Sequence, residues 1–425
     1  MRQGKRVSNG EAKESVEEFR VRARAWLADN MPKREANPLP RGAHGSRFGG
    51  ERSLQRKAFD AGFTGITLPV EYGGQGLTPA HERAFRDEAA GYEAIPVMNI
   101  PCAGAMLAHA SPDFLRRHIP KMLSGENVWV QFFSEPSAGS DLAGVQTRAD
   151  RDGDRWILNG AKIWSTGAAF ADYGMCLART NWDVPKHQGL TWFAVRCDAP
   201  GVTVQPIREI SGGEDFCQEF FDDVELSDDD VIGEVNNGWA VTQTMLIYER
   251  GGAPASGGLS GGGLVGMQPA QRTLAPDLVA LAQRVGRVQD PQVRQLIARA
   301  HINDYARAQL GRRVGQLIAQ GGNPAGTASY GKLASGILDP IRARIAVEVG
   351  RTAALLWEPG EVEAQATSLN YLNGRIMSIA GGTNEIQRNG IGERALGLPR
   401  EPSFDSNKPF REVIAEAAHW TGKVG

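Results

Sequence analysis

Three features of this 425-residue chain could carry chemistry: one carboxylate on an apolar helix face, one loop of small and hydroxyl residues, and one pair of adjacent glycines. The carboxylate is Glu249. The run from Asn236 to Arg250 reads as a helix capped near Asn237. Helical spacing puts Glu249 on the side of Met245 and Leu246, with Gly252 and Ala253 a turn later. Desolvation on such a face raises a carboxylate's basicity, which suits a general base. The alternative is a solvated glutamate beside Arg250. The loop is Gln131-Phe-Phe-Ser-Glu-Pro-Ser-Ala-Gly-Ser140-Asp-Leu-Ala-Gly144. It offers backbone N–H groups and close approach to a flat ring or a phosphate, and alone it could equally be a tight surface turn.

Other patterns exclude chemistry. Cys102, Cys176, Cys197 and Cys217 lie far apart without a CxxC pair, and no two histidines sit at i, i+4 around a carboxylate. No zinc-type site is expected, and the thiols fit a reducing compartment. Gly261 to Gly266 satisfies GxGxxG, and Gly258 to Gly262 satisfies GxSxG, yet no strand precedes either. Both are chance matches in a glycine-rich run. A net charge of −2 supplies no field for nucleic acid. No stretch reaches the roughly 18–20 apolar residues that span a bilayer. The acidic residues Glu11, Glu14, Glu17 and Glu18 follow the basic N-terminus where a leader would be apolar. The expected location is the cytoplasm.

The elements that must position these groups come in three textures. Helical periodicity runs from about Glu14 to Gly125, interrupted by the Gly- and Pro-rich Thr64 to Leu77. Strand texture runs from Val128 to about Leu226. Asn159-Gly160 predicts a type I′ hairpin between Trp156-Ile-Leu158 and Ala161 to Trp164, with a second turn at Asp152-Gly153. Helical texture returns from Gly238. The expected fold is α+β: an N-terminal α-helical domain (1–126), a middle antiparallel β-domain, barrel or sandwich (127–236), a C-terminal four-helix-type bundle (237–400), and a weakly patterned tail (401–425). The Gly251 to Gly263 run costs about 1 kcal/mol per glycine in a helix, so a loosened segment is expected there.

The Ser134-Glu-Pro-Ser-Ala-Gly-Ser140-Asp segment resembles the acyl-CoA dehydrogenase signature. Three further motifs follow in the family's order: Pro69 to Gly76, Asn159 to Gly167, and Gly382-Thr383-Asn-Glu385-Ile-Gln-Arg388. The resemblance implies FAD and an acyl-CoA substrate. It sets Gln131, Phe133 and Ser134 along the flavin ring, and Ser140 at the cofactor phosphates or the pantetheine. Trp164, Ser165 and Thr166 would lie beside the isoalloxazine, and Thr383 and Glu385 near the diphosphate and ribityl side. In much of the family the base is a Glu immediately before Gly-Thr, where this chain has Gly381. A branch similar to isovaleryl- and long-chain-type enzymes carries its base as Glu-Arg on the helix after the β-domain. Glu249-Arg250 with Gly381 matches that branch, which assigns the proton abstraction to Glu249, leaves the Gly381 N–H for the thioester carbonyl, and sets Arg250 near the substrate.

The family's Arg-x-x-Phe and Gln-x-x-Gly-Gly segments are poorly matched by Arg284 to Arg287 and Glu348 to Gly350, which puts cross-subunit FAD contacts in doubt. The resemblance further implies a homodimer or homotetramer passing electrons to an electron-transfer flavoprotein. The rival readings are an acyl-CoA oxidase or flavin monooxygenase of the same fold, and a non-catalytic flavin-binding partner subunit.

Overall fold

The computed structural model describes residues 14–33, 48–92, 100–249, 275–320, 324–358, 361–400, 402–403, 405 and 407–419. Arg250 and the Gly251 to Gly263 run lie outside them. The N-terminal helices are α1 (Val16–Asn30), α2 (Phe48–Asp60), α3 (Pro79–Ala89), α4 (Ile100–His109) and α5 (Pro112–Ser124). Ser15 and Glu18 form a capping box at α1, which buries Phe19, Ala23 and Leu27 at four-residue spacing. Ser111 caps α5, Pro112 opens it, and Gly125 closes it at φ 74°, the left-handed C′ conformation glycine favours.

One eight-stranded sheet follows: β1 (Trp129–Phe132), β2 (Arg148–Asp152), β3 (Arg155–Thr166), β4 (Tyr173–Arg179), β5 (Leu190–Arg196), β6 (Val202–Pro206), β7 (Phe216–Ser227) and β8 (Val231–Ile232). Its order is β6-β7-β3-β2-β4-β5-β8, with β1 added beside β4. The sheet is not wholly antiparallel, because β1 and β2 both run parallel to β4. His118 of α5 stands edge-on to Trp129 and Tyr173, which stack at 4.7 Å, and burial lowers its pKa to about 4. A neutral imidazole thus cements α5 to the sheet.

The Asn159-Gly160 hairpin is not formed. β3 runs unbroken from Arg155 to Thr166, and the two residues form a bulge opposite β7. Asn159 donates to the Asp223 carboxylate and accepts from the Asp223 N–H, both at 3.0 Å, so its turn chemistry is used sideways. Gly160, at φ 145°, lets Thr147 lie against the backbone; a Cβ there would meet Thr147 Oγ1 at 2.6 Å. The β2–β3 hairpin turns instead at Gly153, φ 62°.

The C-terminal helices are α6 (Gly238–Glu249), α7 (Pro276–Arg284), α8 (Pro291–Ala319), α9 (Pro324–Gly350), α10 (Val362–Asn373), α11 (Ile376–Ile379) and α12 (Asn384–Arg394). The tail is better ordered than its pattern suggests. It forms α13 (Phe410–Ala418), and Phe410 is buried under the guanidinium of Arg179 at 3.7 Å. Lys186 holds Asp141 at 2.8 Å and Asp405 at 2.5 Å, tying the tail to the Ser140-Asp141 loop. Among the described residues no helix is long and apolar enough to cross a membrane.

Candidate active site

Glu249 is the last residue of α6 and is partly exposed. Its helix lies directly on α4, because Gly104 has no side chain: a Cβ there would meet the Tyr248 ring at 2.5 Å. On the α4 side stands Cys102, whose thiol donates to the Val130 carbonyl at 3.7 Å. Burial pushes that thiol far up, and the negative charge of Glu249 pushes it the same way. The base candidate therefore lies within electrostatic reach of Cys102, which is itself bonded to β1 at Val130, the residue before Gln131.

On its other side stands the glycine pair. Gly381 has φ 66° and Gly382 φ 90°. A Cβ at Gly381 would sit 3.2 Å from Glu249 Oε1 and 3.3 Å from Lys332 Cε. The position the usual base would occupy and the carboxylate on α6 thus share one small volume. Gln387, which is buried, donates to the carbonyls of Gly381 and Gly382 at 3.1 and 3.2 Å. Thr383 caps α12, its hydroxyl accepting from the Ile386 N–H at 3.2 Å. Glu385 is exposed and pairs with Arg388.

The hydroxyl-rich loop is pinned from beneath. Lys162 Nζ donates to the Phe133 carbonyl at 3.0 Å and to Glu135 at 2.8 Å, and both side chains of the pair are buried. Glu135 also accepts from the N–H groups of Gln146 and Thr147, at 2.6 and 2.9 Å. Burial alone would raise the Glu135 carboxyl, but Lys162 and these amides more than offset it and hold it below the usual range. The Ser134 carbonyl accepts from Ile163, and Phe133 meets Trp192 edge-on at 4.9 Å. Gln131, Phe133 and Ser134 are partly open, and Ser140 is exposed.

At the end of β3 the residues alternate. Trp164 has φ 70° and is 57% exposed, an unusual conformation and exposure for tryptophan. Thr166 is exposed on the same side. The Ser165 side chain is buried and donates to Glu219 Oε2 at 2.9 Å, on the face opposite Trp164 and Thr166, which leaves its backbone for the expected cofactor contact. Glu219 is itself buried, and its other oxygen has no partner among the described residues. Burial pushes its pKa up to about 7, with Ser165 and Lys162 pulling it down.

Because Glu219 binds its proton more tightly when folded, stability falls as pH rises from the unfolded value near 4.5 through about 7. We expect Glu219→Gln to be close to neutral at pH 5 and to stabilise by roughly 2–3 kcal/mol at pH 8. Thermal midpoints of the two proteins across that range check this; parallel curves would contradict it.

The two segments that depart from the family pattern meet each other. Arg287 donates to the carbonyls of Glu348 and Val349, both at 2.9 Å, and pairs with Asp290. Its guanidinium therefore braces its own chain.

Family models for the acyl-CoA dehydrogenase N-terminal and middle domains match residues 13–126 and 131–224. The acyl-CoA dehydrogenase IpdE1 of Mycobacterium tuberculosis is 34% identical over 91% of this chain and 99% of its own length. This chain belongs to the acyl-CoA dehydrogenase family. Acyl-CoA dehydrogenase FadE34 of the same organism is 35% identical over 82% of this chain and 47% of its own length. Among solved structures, the Tcur3481-Tcur3483 steroid ACAD superposes with a TM-score of 0.72 at 27% identity, over 91% of this chain and 98% of that one. A chain of the ChsE4-ChsE5 complex from Mycobacterium tuberculosis gives 0.66 at 26%, over 93% and 100%. Membership makes the chain an oxidoreductase with FAD as its cofactor. The open Trp164 ring, the pinned loop at 133–147 and the Thr383-capped helix fit such a group.

Proposed function

We propose that this chain oxidises an acyl-CoA thioester to the trans-2-enoyl-CoA, with Glu249 as the base. The observation that carries the reading is the 3.2 Å between Glu249 Oε1 and the Cβ that Gly381 lacks. A second carboxylate there would repel the first, and any side chain would fill the space of the substrate's α-carbon. Bound FAD supplies the hydride acceptor for the Cβ hydrogen. Glu249 takes the Cα proton, and the Gly381 N–H stabilises the charge that grows on the thioester oxygen. The substrate loses two electrons and two hydrogens, one as the proton and one as the hydride, and the double bond forms between Cα and Cβ. Trp164 and Thr166 hold one side of the ring, Gln131, Phe133 and Ser134 its edge, and Ser140, Thr383 and Glu385 the polar arms. Arg250, the next residue in the sequence after Glu249, is assigned to substrate.

The domain limits at 126, 236 and 400 are part of this proposal, since helices give way to strands at Trp129 and return at Gly238. A cytoplasmic location is supported by four cysteines of which none is in a disulfide. Exposed Leu355, Leu356, Trp357, Ile379, Leu396 and Leu398 favour a homodimer or homotetramer through the C-terminal helices. An electron-transfer flavoprotein is the proposed acceptor.

Anaerobic titration of the FAD-loaded protein with a panel of straight, branched and steroid-type acyl-CoAs tests the function. We expect at least one to bleach the flavin, with negligible peroxide on admission of air. Rapid peroxide release would move the assignment to an oxidase, and no bleaching by any of them to a non-catalytic subunit.

A further inference from the structure

Lys332 lies on α9 and is 5% exposed, although a lysine on a long helix ordinarily keeps its ammonium in water. Its stem passes Gly381, with Cε 3.3 Å from the missing Cβ, the same point that Glu249 Oε1 approaches to 3.2 Å. Its Nζ donates to the carbonyl of Met377, on α11, four residues before Gly381. Gly336, one turn along α9, receives the other contacts of this corner: its carbonyl accepts from the Ser378 hydroxyl at 2.7 Å and from Asn384 at 3.4 Å. A Cβ on Gly336 would meet Asn384 Oδ1 at 2.1 Å, so α9 and the loop approach as closely as glycine permits. Lys332 is thus a buried cation in the corner that carries both Gly381 and the Glu249 carboxylate.

We propose that Lys332 is a positioning residue for the reaction: it anchors the Gly381 loop through Met377 and keeps Glu249 ionised and ready to accept the Cα proton when an acyl chain covers the site. The proposal rests on the assignment of Glu249 as base. Covering a carboxylate with an apolar chain favours its neutral form, and a buried ammonium nearby favours the charged one. Three other titratable groups among the described residues of α4 and α6 supply no such charge. The Cys102 thiol on α4 is held protonated by burial, and Tyr248 on α6 is pushed up likewise. His109 on α4 is lowered by burial and bonded to Thr244 at 2.8 Å.

The test is the pH dependence of anaerobic flavin bleaching in Lys332→Met and Lys332→Gln, the second keeping a donor for the Met377 carbonyl but no charge. In both, the acid limb should move to higher pH, so that bleaching at pH 6 falls by about tenfold or more while the plateau at high pH falls less. Lys332→Arg should keep the wild-type limb. Deuterium uptake at the α-carbon of a 3-thia-acyl-CoA, which reports proton abstraction without hydride transfer, should show the same shift. An unchanged limb in Lys332→Gln, or equal losses at all pH values in every variant, overturns the role and leaves a purely structural lysine. Failure of the Glu249 assignment is separately visible, as unimpaired bleaching in Glu249→Gln on an intact Lys332.

Discussion

Glu249→Gln is expected to bind FAD normally and to lose about three to four orders of magnitude in acyl-CoA-dependent flavin bleaching. Glutamine fills the same volume beside Gly381, so the loop and the α6–α4 contact at Gly104 remain as they are. What disappears is the one function the amide cannot supply, which is acceptance of a proton. The α-proton of a thioester is a weak acid, and without a positioned base the barrier rises by roughly 4–5 kcal/mol, at 1.36 kcal/mol per tenfold. The stopped-flow rate of bleaching, with flavin content measured on the same sample, separates lost chemistry from lost cofactor. Wild-type rates in the variant would falsify the assignment, and a loss of FAD would show that Glu249 is structural. Position 381 itself offers no substitute carboxylate, because it is glycine.

The proposed base is legible only through the family resemblance: a glycine at one position and a glutamate at another are individually ambiguous, and the resemblance is what makes their combination informative. The structure gives that combination a distance. The three-layer order of helices, sheet and helices is equally legible, because apolar periodicity changes abruptly near Val128 and Gly238. Asn159-Gly160 misleads because turn chemistry is local, whereas the strand is held straight by Asp223, 64 residues away, and by close packing on Thr147. Lys332 escapes a reading of the sequence because no motif marks a buried lysine, and only burial against a glycine loop 49 residues later reveals it. Arg52 shows the same limit: nothing local in the sequence marks that it joins α2 to the segment before β4 through Asp172 at 3.0 Å and the Phe170 carbonyl at 2.9 Å. Side-chain alternation, by contrast, is legible at the end of β3: with Trp164 and Thr166 on one face, the Ser165 side chain between them faces the other way.

Lys162→Met is expected to be the most destabilising single change in the middle sheet, by about 3–5 kcal/mol. Lys162 is wholly buried and Glu135 nearly so, and removal of one partner leaves the other charge in a low dielectric. Glu135 would keep the amides of Gln146 and Thr147 but lose the cation that offsets its burial. Lys162 also lies directly opposite Glu219 in the β3–β7 register and holds that carboxyl down. The pH dependence follows with a definite sign. Glu135 is depressed in the folded state, so its pairing stabilises above the unfolded pKa near 4.5, and that contribution vanishes in the variant. Glu219 is raised, so its ionisation costs stability as pH rises through about 7, and without Lys162 that cost grows. Both effects make the deficit larger at pH 8 than at pH 5. Thermal midpoints at the two pH values measure it, and FAD retention should fall in parallel because the Phe133 carbonyl loses its donor. The double variant Lys162→Met with Glu135→Gln removes the stranded charge and should recover part of the loss. A double variant less stable than the single one would mean that the amides of Gln146 and Thr147, rather than the ion pair, hold the loop.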